Sequence, residues 1–320
     1  FWRLTPEDRL YIPSPIGHIG GSVYAFEFPW IADCSAILAT RWDPDAAVAE
    51  IDRLGATFMA GATPFLVNLI AASERADSRL PSLRRFICGG ASVTPELIRR
   101  GLARFPNAVV SRAYGSSEVP IVCPGIRTRA EAETHAETDG EIEAELRLIG
   151  ADGAAVPDGQ AGEIVARTPR MLMGYLDPAH EKDCFEADGF FRMGDLGRRV
   201  DRRFIEITGR TKDIIIRKGE NLSPLEIENA LMRHPDVRHC AVVGIPDPDR
   251  GEMVVAFVVP RAGQDFGFDT MTAHLTGFGL ARQKFPERLY LRDDLPTNTV
   301  GKIQKQDLRE IAIRMGETGR

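Results

Sequence analysis

The tightest limit on the fold comes from residues 86–110. Phe86, Ile87 and Cys88 make a short apolar run that stops at Gly89-Gly90. Thr94-Pro95-Glu96 then opens a helix whose Leu97, Ile98 and Leu102 fall on one face, and Val109-Val110 starts a second apolar run. Strand, glycine turn, helix and strand in that order is the repeating unit of a mostly parallel sheet, because parallel neighbours need a crossover between them. The same rhythm appears upstream, where Asp43 caps a helix with Pro44 in its first turn and Val48, Ile51 and Leu54 facing inward.

The pattern changes twice. From 140 to 148, Ile142, Ala144, Leu146 and Leu148 alternate with Glu141, Glu143, Glu145 and Arg147, which predicts one strand with a wet face. Asp152-Gly153 and Asp158-Gly159 are turn signals within this β-rich stretch. Near Gly209 the character shifts again. Ser223-Pro224-Leu225-Glu226 reads as a capping box with proline at the first helical position and Ile227, Ala230 and Leu231 inward. Strands at 241–245 and 254–259 and helices near 268–276 and 305–315 complete an α+β unit. The fold class is therefore α/β. A large domain, with a parallel-sheet part at 1–135 and a β-rich subdomain at 136–209, is followed by a small α+β domain at 210–320.

Composition removes several function classes. A formal net charge of -6 argues against a nucleic-acid partner, since phosphate backbones select basic faces. No apolar run approaches the roughly 20 residues that span a bilayer, and the first residues lack the layout of a signal peptide. The five cysteines, Cys34, Cys88, Cys123, Cys184 and Cys240, are dispersed singly, which fits a reducing, cytoplasmic setting and small buried apolar roles. The chain opens at Phe1 without a methionine, and residues 10–15 read as the middle of a domain; the expectation is a C-terminal fragment.

Phosphate-loop, dinucleotide, hydrolase-elbow and His-x-x-x-His patterns are absent. Four segments carry chemistry instead. Tyr114-Gly115-Ser116-Ser117-Glu118 follows a strand, where open α/β sheets place ligands. Its glycine admits a close backbone approach, Ser117 offers a hydroxyl to a phosphate, and Glu118 offers a carboxylate to Mg2+; the bland reading is a polar turn. Gly194-Asp195 offers a carboxylate to both hydroxyls of a ribose, or is simply a turn. Between Gly209-Arg210-Thr211-Lys212-Asp213 and Arg217-Lys218-Gly219-Glu220-Asn221 lies an apolar strand of Ile214, Ile215 and Ile216, with charges at both ends. Finally, residues 296–305 deliver Lys302 beside Gly301, where a surface lysine is the ordinary alternative.

In this order, and over essentially the whole chain, these segments resemble the adenylate-forming (AMP-dependent synthetase and ligase) family, which includes acyl-CoA synthetases, peptide-synthetase adenylation domains and firefly-type luciferases. Residues 209–228 carry its most specific part. Residues 87–95, 111–120 and 280–287 are similar to acyl-CoA ligases of the cyclohexanecarboxylate and medium-chain type. The resemblance implies an acid–thiol ligase that activates a hydrophobic carboxylic acid with ATP and Mg2+ and passes it to CoA. Its partners would be those small molecules, with self-association left open.

The resemblance also implies residue roles. Gly89, Gly90 and Ala91 would lie against adenine and Tyr114 would stack on it, with Gly115 and Ser116 in the same nucleotide-binding segment. Ser117 would meet the α-phosphate, Glu118 would bind Mg2+, and Asp195 would bind the ribose with help from Arg210. Lys302 would bridge the substrate carboxylate and the α-phosphate. Lys212 would be the hinge of a mobile C-terminal domain, and Lys218 and Gly219 would line the CoA channel. His18 would border the acyl pocket along with Gly115; a buried structural histidine is the alternative. Three positions depart from the family pattern. Ser117 stands where threonine is usual, Met193 replaces a threonine before Gly194, and the turn at Asp201-Arg202-Arg203 lacks its usual glycine. The family's Ser/Thr/Gly-rich phosphate loop is expected upstream of Phe1. An amino- or aryl-acid adenylation domain and a non-catalytic nucleotide-binding remnant remain as competing readings. No acidic residue near His18 offers to hold an α-ammonium, which disfavours the first.

Overall fold

The computed structural model describes residues 1–90, 93–298 and 302–318. It divides into two compact units, Phe1–Met193 with Gly197–Ile207, and Gly194–Leu196 with Thr208–Arg320.

The first unit is built on five strands, β1 (Arg9–Ile12), β2 (Ser35–Leu38), β3 (Phe58–Gly61), β4 (Arg85–Cys88) and β5 (Val109–Arg112), in the order β2-β1-β3-β4-β5. Every pairing is parallel, with Leu10 beside Phe58, Met59 beside Phe86 and Ile87 beside Ser111. Alternation along each strand sorts its side chains onto two faces. Tyr11, Met59, Phe86 and Cys88 pack in one core, while Leu10, Ile12, Phe58, Ala60 and Ile87 pack in the other.

The first core is covered by α3 (Pro44–Leu54), α4 (Thr63–Arg75) and α5 (Pro95–Arg104), which contribute Ile51, Leu66 and Ile98. The opposite core is covered by α1 (Ile19–Ser22), a π-helical stretch (Val23–Glu27) and α2 (Phe28–Ala32), with Tyr24 and Phe28 against Trp2 and Phe58. Helix starts follow the sequence closely. The Asp43 carboxylate accepts from the Asp45 and Ala46 N–H groups at 3.1 Å each, and the Thr94 hydroxyl accepts from Leu97 N at 3.3 Å. Because β1 lies between β2 and β3, the winding reverses at β1/β3, and the carboxyl ends of the strands open there.

After α6 (Arg129–Thr134) come β6 (Glu145–Ile149), β7 (Ala161–Arg167), β8 (Phe191–Val200) and β9 (Phe204–Arg210), ordered consecutively in a second sheet. The strand expected over 140–148 begins only at Glu145. Its alternation is real, with Leu146 and Leu148 buried and Glu145 and Arg147 exposed. The preceding N–H groups go elsewhere, Glu141 to Gly125 O, Ile142 to Arg203 O and Glu143 to Val122 O, so the ladder is broken before it starts. The turn without a glycine solves its geometry with Asp201 and Arg202 at φ 48° and 59°, both left-handed.

In the second unit, β10 (Ile215–Arg217), β11 (Glu220–Leu222), β12 (Val237–Asp247) and β13 (Gly251–Pro260) run in the order β11-β10-β13-β12, and β14 (Arg288–Leu291) pairs with β13. Val242, Val254, Ala256 and Val258 face α7 (Pro224–Leu231) and α8 (Phe268–Gly277) through Ile227, Leu231, Met271 and Leu275. Ala241, Val243, Val255 and Phe257 face Leu308 and Ala312 of α9 (Lys305–Thr318). The expected strand of three isoleucines starts one residue late: Ile215 is buried, whereas Ile216 is 56% exposed. The capping box also fails to form. Ser223 occupies the N-cap and Pro224 the first turn, but the Ser223 hydroxyl donates to Thr208 O at 2.5 Å and Glu226 pairs with Lys284 at 2.7 Å. Tertiary partners outcompeted the local ones.

Candidate active site

In the first unit the candidate residues gather at the carboxyl edge of the parallel sheet. Gly89 and Gly90 directly follow β4. A Cβ on Gly89 would lie 2.9 Å from Ala113 O, and Gly90 has φ 81°, so both positions call for glycine. Ala91 lies outside the described residues. Tyr114, half-buried, follows β5 and exchanges both backbone hydrogen bonds with Cys123 at 2.9 Å, closing a loop whose tip carries Ser116, Ser117 and Glu118. Gly115 permits the loop to pinch, because a Cβ there would sit 2.7 Å from Ile121 N. Ser116 Oγ accepts from Val119 N at 3.1 Å and shapes the tip, whereas Ser117 is exposed.

Glu118 is anchored at two points. Its carbonyl accepts from Leu172 N at 2.7 Å, and its carboxylate accepts from the Tyr175 hydroxyl at 3.2 Å. Tyr175 is a functional candidate that sequence reading missed, since Gly174-Tyr175 carries no chemical signal of its own. Burial and the nearby Glu118 charge push the Tyr175 phenol up to about 12, so it remains a donor. Among the described residues no group of three or more His, Cys, Asp or Glu could hold a metal. A single half-buried carboxylate held by one hydroxyl still fits Mg2+, which takes one or two carboxylates and completes its shell with phosphate and water.

His18 follows β1 and is exposed, which rules out the buried structural role considered for it. Its Nδ1 accepts from Gly20 N at 3.0 Å and caps α1. The Cys88 thiol, just before Gly89, is pushed up to about 12 by burial, so it serves packing and not nucleophilic chemistry. All five cysteines are free, with Cys34 and Cys184 only half-buried.

In the second unit Asp195, 8% exposed, lies 3.1 Å from Arg210 Nε. Gly194 turns the chain there with φ 67°, and Thr211 Oγ1 donates to Gly194 O at 3.0 Å. Lys302 belongs to the same charged group. Burial lowers its amine pKa; the cations of Arg210 and Lys212 push the same way, and Asp195 and Asp213 oppose them. Its main chain is held on both sides by Asn298, whose N–H donates to Lys302 O and whose side-chain oxygen accepts from Lys302 N, each at 2.9 Å. Asn298 is a second residue that sequence reading passed over. Lys212 is exposed in a 3-10 turn, Thr211–Asp213. Lys218 and Gly219, at φ 51° and 79°, form the exposed tip of the β10–β11 hairpin. Gly301 lies outside the described residues.

The "AMP-binding enzyme" family model matches residues 1–176, and the "AMP-binding enzyme C-terminal domain" model matches residues 226–302. The chain belongs to the AMP-binding enzyme family. Among relatives of this AMP-binding enzyme chain is the medium-chain fatty-acid–CoA ligase of Escherichia coli strain K12, 32% identical over 315 residues, which cover 98% of this chain and 55% of the relative. Indoleacetate–CoA ligase of Aromatoleum aromaticum is 32% identical over 314 residues, covering 98% and 61%. The ATP-bound structure of MatB from Rhodopseudomonas palustris superposes with a TM-score of 0.86 at 32% identity, over 97% of this chain and 61% of that one. The AMP-binding enzyme chain thus spans little more than half the length of the curated relatives it matches. No described helix is long and apolar enough to cross a membrane.

Proposed function

We propose that this chain carries adenylating and thiol-transfer machinery of an ATP-dependent acid–CoA ligase. A carboxylate oxygen attacks the α-phosphorus of ATP, the bond to pyrophosphate breaks, and an acyl-adenylate forms. CoA thiolate then attacks the acyl carbonyl, forming the C–S bond as AMP leaves. The observation that carries this reading is that, within one unit, the half-buried Lys302 ammonium feels the charges of Arg210 and of the buried Asp195 with which Arg210 pairs. A partly desolvated cation beside a ribose-binding carboxylate is suited to the charge that builds on carboxylate and phosphate during adenylation.

Asp195 accepts hydrogen bonds from the ribose hydroxyls and Arg210 keeps it ionised and oriented. Gly89 and Gly90 admit the adenine to the backbone, Tyr114 covers its face, and Ser117 donates to the α-phosphate. Glu118 would hold Mg2+, which neutralises phosphate charge when bound. Lys212 acts as the hinge and the Lys218-Gly219 tip borders the CoA arm.

The acid is hydrophobic in this reading. The helical segment after β1 presents Tyr24, Ala25 and Phe28 in an apolar cluster, without a buried charge among them. Both curated relatives described above are named for organic acids with apolar bodies. The test is CoA-dependent AMP release by the full-length protein, run with octanoate, cyclohexanecarboxylate, indoleacetate and glycine. Turnover with one or more of the first three is expected. Release with glycine alone would overturn the hydrophobic assignment, and no carboxylate-dependent release at all would overturn the ligase.

A further inference from the structure

Between Lys302 and the rest of its unit stands a pair of ion contacts that the reading above leaves unused. Glu228, on α7, is only 9% exposed. Its Oε1 accepts from Val242 N at 2.7 Å and lies 2.7 Å from Lys305 Nζ. Burial raises the Glu228 pKa, and the Lys305 cation opposes that rise. A carboxylate so enclosed demands a cation at a definite place. Lys305 is the first residue of α9, three positions after Lys302. One helical turn on, Arg309 donates to Asp213 Oδ1 at 2.9 Å. Asp213 closes the turn that begins at Thr211, next to Arg210.

Lys305 and Arg309 are four residues apart and so share one face of α9. Leu308 and Ala312, fully buried, press the helix onto the sheet through Val243 and Val255. Apolar packing of this kind fixes how deep a helix lies. Two directional contacts at successive turns supply the axial setting. Stability alone is a poor account of them, because a buried ion pair often adds little over an apolar pair of equal volume.

We infer that Glu228 and Asp213 are positioning residues. Acting through Lys305 and Arg309, they set α9 along its axis and so hold Lys302 at the Asp195–Arg210 pair. The inference rests on the adenylating role proposed for Lys302.

The test uses the full-length protein and separates the two half-reactions. Asp213→Asn, Arg309→Met and Glu228→Gln are each expected to lower carboxylate-dependent ATP–pyrophosphate exchange about 10- to 100-fold, the scale of a misplaced catalytic group. Thioester formation from preformed acyl-adenylate should stay near the wild-type rate. The exchanged pair, Asp213→Arg with Arg309→Asp, should recover much of the exchange, and Lys305→Arg by itself, which keeps the cation, should retain it. Labelling of Lys302 as a function of pH gives a readout independent of turnover: in Arg309→Met and Glu228→Gln a displaced amine should titrate closer to an ordinary lysine, whereas Asp213→Asn also removes a charge that raises the Lys302 pKa. Unchanged exchange and labelling, or equal loss of both half-reactions together with a lowered melting temperature, would overturn the inference. Lys302→Ala is the control. If it abolishes exchange while the three variants keep it, only the positioning role falls; if Lys302→Ala keeps exchange, the parent reading falls and takes this one with it.

Discussion

At the residue scale, the candidate site illustrates what a side chain announces and what it conceals. Lys302 and Asp195 were legible because a Gly-Lys loop and a Gly-Asp turn are chemical statements that recur in a known order. Asn298, which holds Lys302 through both its backbone N–H and its amide side chain, was not, because asparagine in a polar loop is ordinary. Tyr175 was hidden for the same reason: its donation to Glu118 joins positions 57 apart in sequence, and no local pattern encodes it. The reading of Lys302 makes a direct prediction. Lys302→Ala should reduce acyl-adenylate formation by about 100- to 1000-fold, the usual effect of removing a group that stabilises developing charge. Conversion of preformed acyl-adenylate with CoA should survive. Parallel assays of hydroxamate trapping and of thioester formation check it, and equal loss in both would move Lys302 out of the adenylation step.

At the element scale, local rules held where no tertiary partner competed. The Asp43 and Thr94 caps formed as written, each side-chain oxygen accepting from N–H groups of its own helix. Ser223 instead found Thr208 O, and Glu226 found Lys284, so the helix start survived on proline geometry without its box. The α7–α8 contact adds a titratable device that no periodicity reveals. The rings of His234 and His274 lie 4.9 Å apart, and His234 also packs edge-on to Phe266. Burial lowers the His234 pKa, the charge of His274 lowers it further, and Asp236 opposes both. The folded pKa is therefore below the unfolded value of about 6.5, and the unfolded state binds more protons between the two. Stability from this histidine is present above about pH 6.5 and is lost as pH falls through the folded pKa. In urea titrations at a series of pH values, His234→Asn should flatten the decline of stability below about pH 6.5; an unchanged decline would show that other groups cause it.

At the scale of the whole molecule, each unit has its own core, with Leu66 in one cluster and Ile227 in another. Leu66→Ala and Ile227→Val should cost about 2–5 and about 0.5–1.5 kcal/mol respectively. The double variant should be additive within about 0.5 kcal/mol, because the two sites share no partners. Chemical denaturation followed by probes in each unit measures this, and a larger coupling would mean the cores are not energetically separate. The sequence by itself determined the alternation of short apolar runs, glycine turns and capped helices, hence the parallel α/β sheet, the later β-rich stretch and the α+β unit. Those are consequences of periodicity, proline and glycine stereochemistry and capping, all of which act within a few residues. Tertiary structure decided the strand order that reverses at β1/β3 and the shortened start of β6. It also decided the partners of Ser223 and the linkage of Glu228 and Asp213 to α9. Each of these depends on which of several competent groups, far apart in the chain, arrives first within hydrogen-bond distance, and only packing of the folded chain selects among them.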